Sequence, residues 1–206
     1  QTGVMVENDC NNCNFTQVRL LGFDGKYSQI LIDGDPVISS LGSVYGLEHY
    51  PQEMIEQIEI VKGGGSALYG GGAVAGTINM MTRRPGFNRT KITYSGNSFD
   101  GIYDQQTGVI SEVISADNNA GFFVYGSTRN RNAYDRNGDG ITELGVLKNQ
   151  TIGFNGFIKP FSESEFQISF HKIFEERRGG SELDKPVHEA AISEMVKHQK
   201  WGGKLK

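Results

Sequence analysis

Asp135-Arg136-Asn137-Gly138-Asp139-Gly140-Ile141-Thr142-Glu143 is the stretch of this chain best suited to hold an ion. Side-chain oxygens occupy its first, third and fifth positions, glycine the sixth and a backbone carbonyl position the seventh, as in the opening half of a calcium loop. Asp135, Asn137 and Asp139 would point inward around a hard cation, and Glu143 would supply a late ligand. The twelfth position is Val146 rather than a bidentate glutamate, so the run is not an EF-hand. A plain Asn/Asp/Gly turn between two strands accounts for the same residues, and both readings stand at this point. Cys10 and Cys13 form half of a zinc site without a matching second half. The flanking Asp9 and Asn14 make a turn rather than the helix start of a redox motif. In an exported protein, a disulfide closing a tight loop is favoured over two free thiols. The glycines at 63–65 and 70–72 invite phosphate, but no Gly-Lys-Ser/Thr ending follows and no long helix offers its N-terminus. His49, Ser66 and Asp33 are scattered over turns without a nucleophile elbow, so an enzyme is not expected.

These residues sit in a chain patterned for strands. Its 28 glycines show no collagen period and no low-complexity tract; with 12 Phe and 8 Tyr they favour a mainly β protein. Twenty Lys and Arg against 24 Asp and Glu argue against a nucleic-acid binder held by phosphate contacts. No apolar run reaches the roughly 18–20 residues of a membrane-spanning helix, whereas the alternating strands of a β-barrel leave only a weak hydropathy signal. Two compositional regions meet near Arg83-Arg84-Pro85-Gly86, dividing the chain into 1–84 and 85–206. The first has short strands and dense turn signals, and Pro51 to Glu56 reads as a short helix with proline at its first position. The second has longer strands, expected at 89–98, 103–116, 120–131, 150–160 and 165–175. In the last of these Phe166, Ile168, Phe170 and Phe174 share one face, and Gln167, Ser169 and His171 the other. Such lengths suit tilted membrane strands of about 9–11 residues. The connections alternate as well, short at 116–120 and 160–165, long at 131–149 and 177–199. Five strands cannot close a barrel, and lipid offers the backbone no partners, so the chain reads as a piece of a longer protein.

Three segments of the first region carry a family resemblance. Ile55-Glu56-Gln57-Ile58-Glu59-Ile60-Val61-Lys62-Gly63 leads through Ser66-Ala67-Leu68-Tyr69-Gly70 to Thr77-Ile78-Asn79-Met80-Met81-Thr82-Arg83. Upstream stand Gln29-Ile30-Leu31-Ile32-Asp33-Gly34 and Gln17-Val18-Arg19-Leu20-Leu21-Gly22. In this order they resemble the plug domain of TonB-dependent outer-membrane receptors, with Lys62 in place of the usual Arg and Met80-Met81 where Ile is common. The resemblance covers residues 1–84 and implies a plug lacking its start, followed by the first strands of an antiparallel transmembrane β-barrel.

The implied activity is energy-coupled uptake of a scarce metal chelate (ferric siderophore, haem or cobalamin) through the outer membrane of a Gram-negative bacterium. TonB would act through a box that precedes these residues in the family; outer-membrane lipid and a surface lipoprotein are further partners. No cofactor is required; the 135–143 loop could take calcium. Plug loops bearing Tyr27, Ser39, Ser40 and Tyr45 would face the ligand. Arg19, Glu59 and Lys62, read together with Glu56, Arg83 and Arg84, would pair with each other and with charges on the barrel wall; solvated loop charges account equally well for Glu56 and Arg84. Paired cysteines such as Cys10 and Cys13 occur in Bacteroidota receptors that this sequence resembles. A haem receptor could use His188 or His198 of the last long connection as axial ligands, although most loop histidines bind nothing. A reading from another class, a calcium-stabilised surface β-protein for adhesion or complex assembly, explains the Asp/Asn/Gly loop and the alternating strands. It does not explain the order of residues 17–83.

Overall fold

The computed structural model describes residues 2–10, 15–37, 50–64, 69 and 72–206, without the side chains of 8–10, 15 and 16. Alternating β-branched, aromatic and polar residues, punctuated by Gly and Asp turns, fold almost entirely into strands. The described residues fall into two compact units, Gln1–Arg83 and Arg84–Lys206.

The first unit holds a hairpin of β1 (Val4–Cys10) and β2 (Phe15–Leu20) beside a four-stranded sheet. That sheet comprises β3 (Ser28–Ile32), β4 (Asp35–Pro36), β5 (Ile55–Lys62) and β6 (Gly76–Thr82), in the order β4-β3-β6-β5 with β3 and β6 parallel. Asp33 and Gly34, at φ 49° and 82°, give the left-handed pair that a two-residue hairpin needs between β3 and β4. The turn is then sewn to β6. Asp33 accepts hydrogen bonds from the Thr82 amide and hydroxyl, both at 2.8 Å, while Asn79 Oδ1 accepts from the Gly34 amide at 3.0 Å.

Leu20, Ala75 and Ile78 are buried together under Val4, Val18 and Ile60. Each large side chain there contributes about 1.5–3 kcal/mol by leaving water. Gly76 makes this packing possible: at φ 138°, a Cβ would lie 2.0 Å from the Val61 carbonyl oxygen and 3.1 Å from Leu20. The helix expected over 51–56 is instead a turn, with Met54 N–H donating to Pro51 and Ile55 N–H to Gln52, before Ile55 enters β5. One helical turn is a costly nucleus, and the ladder with β6 offers the same backbone more.

The second unit is a six-stranded antiparallel meander of β7 (Arg89–Phe99), β8 (Ile102–Ile114), β9 (Ala120–Arg131), β10 (Val146–Phe161), β11 (Ser164–Gly180) and β12 (Ser193–Leu205). It has one strand more than the sequence pattern predicts. The segment 177–199, expected as a loop, continues β11 to Gly180 and supplies the start of β12, leaving 181–192 as the connection. Glu194, Lys197, His198 and Lys200 scatter charge over both faces of β12 and hide its alternation. Its register with β11 is nevertheless unbroken from Ile168↔Leu205 to Gly180↔Ser193, because backbone pairing does not depend on side-chain polarity. β10 likewise begins at Val146 rather than 150.

Gly76→Ala is expected to cost about 2–4 kcal/mol, the cost of a clash at a special backbone conformation. Gly86→Ala, where a Cβ meets nothing within 4 Å, should stay within about 0.5 kcal/mol of the parent. Urea-dependent proteolysis of the intact protein, followed at cleavage sites in the first unit for Gly76→Ala and in the second for Gly86→Ala, measures both.

Candidate functional site

The register of the meander sorts its side chains into two unlike faces. On one, Val124, Phe154 and Phe170 stand side by side, and Gly126, Ile152, Lys172 and Trp201 form another row. The Phe122 and Phe154 rings lie 5.9 Å apart, and Trp201 is 74% exposed. An apolar face this open to the surroundings suits lipid rather than water. The opposite face reads Gln106, Arg129, Asn149, Glu175 and His198 across one row, and Asp104, Arg131, Leu147, Arg177 and Val196 across the next. Two residues per pleat separate these rows, so the segregation follows directly from strand periodicity.

Charges on this second face are paired. Glu175 is 1% exposed; one carboxylate oxygen accepts from Arg177 Nε at 2.8 Å and the other from Asn149 Nδ2 at 2.8 Å. Arg129 grips Asp104 with two parallel bonds of 2.9 and 2.6 Å. Arg89 does the same to the buried Glu112, at 2.5 and 3.3 Å. Fork-on-carboxylate geometry gives each pair a fixed direction as well as energy. The pairs between strands (Arg129–Asp104, Arg89–Glu112 and Asn149–Glu175) are not legible in the sequence, since only the strand register brings their positions together; Glu175 and Arg177 are two residues apart on one face of β11. The signal that could have found them is the register itself, once hairpin ends are assigned.

The antiparallel order puts the turns at 115–119 and 162–163 at one end of the sheet, and the connections 100–101, 132–145 and 181–192 at the other. The long connections are tied to one another. Tyr134 bridges Leu144, Ile141 bridges Ser181, Thr142 N–H donates to Gly180 at 3.1 Å, and the Tyr134 hydroxyl donates to Asp100.

Within this cap, Asp135 accepts from the amides of Gly138 and Gly140 at 2.7 and 2.8 Å, and Asp139 from that of Ile141 at 2.8 Å. Asn137 accepts from the Asp139 amide at 3.0 Å and Glu143 from the Arg136 amide at 2.6 Å. The candidate calcium oxygens thus hold the loop's own N–H groups, and an ion would have to share or displace those bonds. Among the described residues, no group of three or more His, Cys, Asp or Glu is placed to hold a metal.

The remaining candidates are distributed as follows. Tyr27 closes a 3-10 turn, Gly25–Tyr27, with its ring edge-on to Phe23 and Lys26 Nζ 5.1 Å from its centroid. Ser39, Ser40, Tyr45 and Cys13 lie outside the described residues, as does the side chain of Cys10. Arg19 pairs with Glu7 at 2.5 Å and Asp24 at 3.4 Å. Glu59 accepts from Gln57 at 2.9 Å and Asn79 at 3.3 Å, and Lys62 donates to the Thr2 carbonyl. These partners belong to the first unit. His188 is 3.5 Å from Glu189 in the 181–192 connection, and His198 stands opposite Glu175 on β12.

Residues 1–77 match the TonB-dependent Receptor Plug Domain family. Over 80 residues the chain is 35% identical to the vitamin B12 transporter BtuB of Vibrio vulnificus, covering 39% of this chain and 13% of that protein. It is 34% identical over 82 residues to the ferric enterobactin receptor PirA of Pseudomonas aeruginosa, 35% of this chain and 11% of that protein. The siderophore receptor PirA of Acinetobacter baumannii superposes with a TM-score of 0.65 at 19% identity, over 92% of this chain and 30% of its own. The pyoverdine outer membrane receptor FpvA of P. aeruginosa, bound to pyoverdine, does so at 0.64 and 13% identity, over 86% and 24%. The chain spans less than a third of each of these four proteins.

Arg177→Ala is expected to cost about 3–5 kcal/mol, because it removes a charged donor from a buried carboxylate. Heat-driven unfolding of the full-length protein in detergent measures the loss. At the short-turn end, the hydroxyl of Ser115 and the amides of Asn119 hold the Asp117 carboxyl below its ordinary 3.8. A depressed folded value means that the turn is fully stabilised above the unfolded value and loosens as pH falls through the depressed one. Amide protection at 119–120 should therefore hold through the ordinary carboxylate range and fall only as pH drops below it, and Asp117→Asn should abolish that dependence.

Proposed function

We propose that this chain, whose residues 1–77 are a plug domain of the TonB-dependent receptors and whose later strands share those receptors' fold, belongs to a carrier of scarce metal chelates across the outer membrane of a Gram-negative bacterium. The observation that supports it most directly is the succession of a turn-locked plug sheet and a sheet with one apolar and one charged face. An apolar face meets hydrocarbon, and a charged face lines a watered interior in which a gate can sit.

In this reading the cargo is a ferric siderophore, haem or cobalamin, and TonB pulls on the plug to open the path. The energy arrives through that partner, so the cycle needs no nucleotide site and no resident cofactor. No bond in the cargo is made or broken; the protein is a receptor and transporter. The 132–145 and 181–192 connections would face outward with the cargo. The paired charges of the polar face would keep the wall's register while the plug moves, since opening any one pair strands a charge.

Full-length protein purified from outer membranes in detergent, titrated with haem, cyanocobalamin and ferric siderophores with and without calcium, is expected to bind one of them saturably. Alanine changes over 39–45 should weaken that binding about tenfold or more, equivalent to about 1.4 kcal/mol. A protein that stays soluble without detergent and binds none of the three removes the transport reading.

A further inference from the structure

The apolar face of the meander changes character as its strands approach the long connections. Along β11 that face begins with Phe166, Ile168 and Phe170 and ends with Phe174, Glu176 and Arg178, with Lys172 between. The register carries the change across three strands. Lys172 stands beside Ile152 and Trp201; the next row is Gln150, Phe174 and Gln199, and the one after it Lys148, Glu176 and Lys197. Lys148, Lys172 and Lys197 are exposed, and Glu176 Oε2 lies 3.3 Å from Lys197 Nζ. Arg178 adds a fourth cation. It is 7% exposed, its Nη1 donates to the neighbouring Gly179 carbonyl at 3.3 Å, and its Nη2 has no hydrogen-bond partner among the described residues. Four cations thus face a single carboxylate, Glu176. Continuing the Lys148 row onto β9 and β8 gives Asn130 and Gln105, both uncharged. The positive charge is a patch confined to β10, β11 and β12, not an even belt along the sheet.

We infer that this patch binds the headgroup of a lipid carrying a phosphate monoester, whose chains lie on the apolar face beside it. Continuity and charge name the occupant. Phe170, Ile152 and Trp201 are 47%, 63% and 74% exposed, and the cations begin in the row that holds Ile152 and Trp201. An amphiphile with an anionic head matches both halves of such a face. A zwitterionic head brings no net charge and a phosphodiester one, whereas a monoester carries about 1.5–2 near neutral pH and best offsets the excess of cations. Neighbouring strands lie about 4.8 Å apart and successive residues on one face about 6.7 Å, so flexible lysine stems can bring their ammonium groups onto one head. Lys172 is placed to do this, its stem along the apolar row and its charge lifted toward Glu176. The inference rests on the outer-membrane reading for the presence of lipid, though not for the geometry of the patch.

Full-length protein in detergent, titrated with dioleoyl phosphatidic acid or with dioleoyl phosphatidylcholine of the same chains, tests the patch when bound lipid is counted by native mass spectrometry. Phosphatidic acid is expected to bind about tenfold tighter or more. Lys148→Gln combined with Lys197→Gln should weaken it about tenfold or more, at roughly fivefold for each lysine. Glu176→Gln should tighten it about threefold, which the loss of a merely structural ion pair would not do. Lys91→Gln, on the opposite face of β7, should leave it within about twofold. Equal binding of the two lipids, or an unchanged affinity in the double variant, overturns the inference. Glycerol 3-phosphate binding as tightly as the lipid would make this a site for soluble phosphate and overturn the lipid assignment. Chelate binding by the same preparation separates the two readings. Chelate bound without preference for phosphatidic acid removes the patch alone; a protein that stays soluble without detergent and binds neither removes the transport reading as well.

Discussion

Backbone hydrogen bonding between strands is the constraint on which the second unit depends. A strand set against lipid has nowhere to send its N–H and C=O groups except to neighbouring strands. The ladders from β7 to β12, interrupted only by a register shift between Ile158 and Phe161 of β10, meet that demand along nearly all of each strand with a neighbour on both sides. Once the ladders exist, strand periodicity does the rest, sending Phe154 and Phe170 to one face and Asn149 and Glu175 to the other. The bidentate pairs Arg129–Asp104 and Arg89–Glu112 are then possible because the same ladders place their strands side by side. They stabilise a register more than they add to total stability, since taking charges out of water costs much of what their attraction returns.

The first unit solves a different problem in fewer residues. Its sheet is mixed, and the parallel neighbours β3 and β6 are far apart in sequence, so the ladder alone specifies little. Side chains take over: Asp33 and Asn79 lock the β3–β4 turn to β6, and the absent side chain at Gly76 lets Val61 and Leu20 close in. A unit held by a few polar locks and a small core sits at the low end of local stability, from which moving parts are drawn. The second unit, with its long ladders, sits at the other end.

Much of the fold was legible in the residues. Four of the five strands expected after Pro85 begin within a residue or so of where the structure has them, because Phe166, Ile168 and Phe170 or their counterparts alternate without interruption. β12 escaped because its charges fall on both faces, and the 51–56 helix was wrong because one turn with good caps still loses to a sheet edge. The Asp135–Glu143 run was legible as a turn or an ion loop, and its oxygens are found on the loop's own amides. Periodicity reports only on strands whose two faces meet different surroundings.

By itself the sequence determined the mainly β character, the change of composition at Arg83-Arg84, the Asp33-Gly34 turn and the family resemblance of residues 1–84. Each of these is written in residues that are close in the chain: alternation, aspartate and glycine at special dihedrals, a motif in fixed order. Only the tertiary structure decided that Glu175 is held by Asn149, that Arg84 rests on Phe157 and Glu165, and that β12 pairs along the length of β11. These depend on register between distant segments. A slip of one residue would send every side chain of a strand to the other face while leaving its composition unchanged.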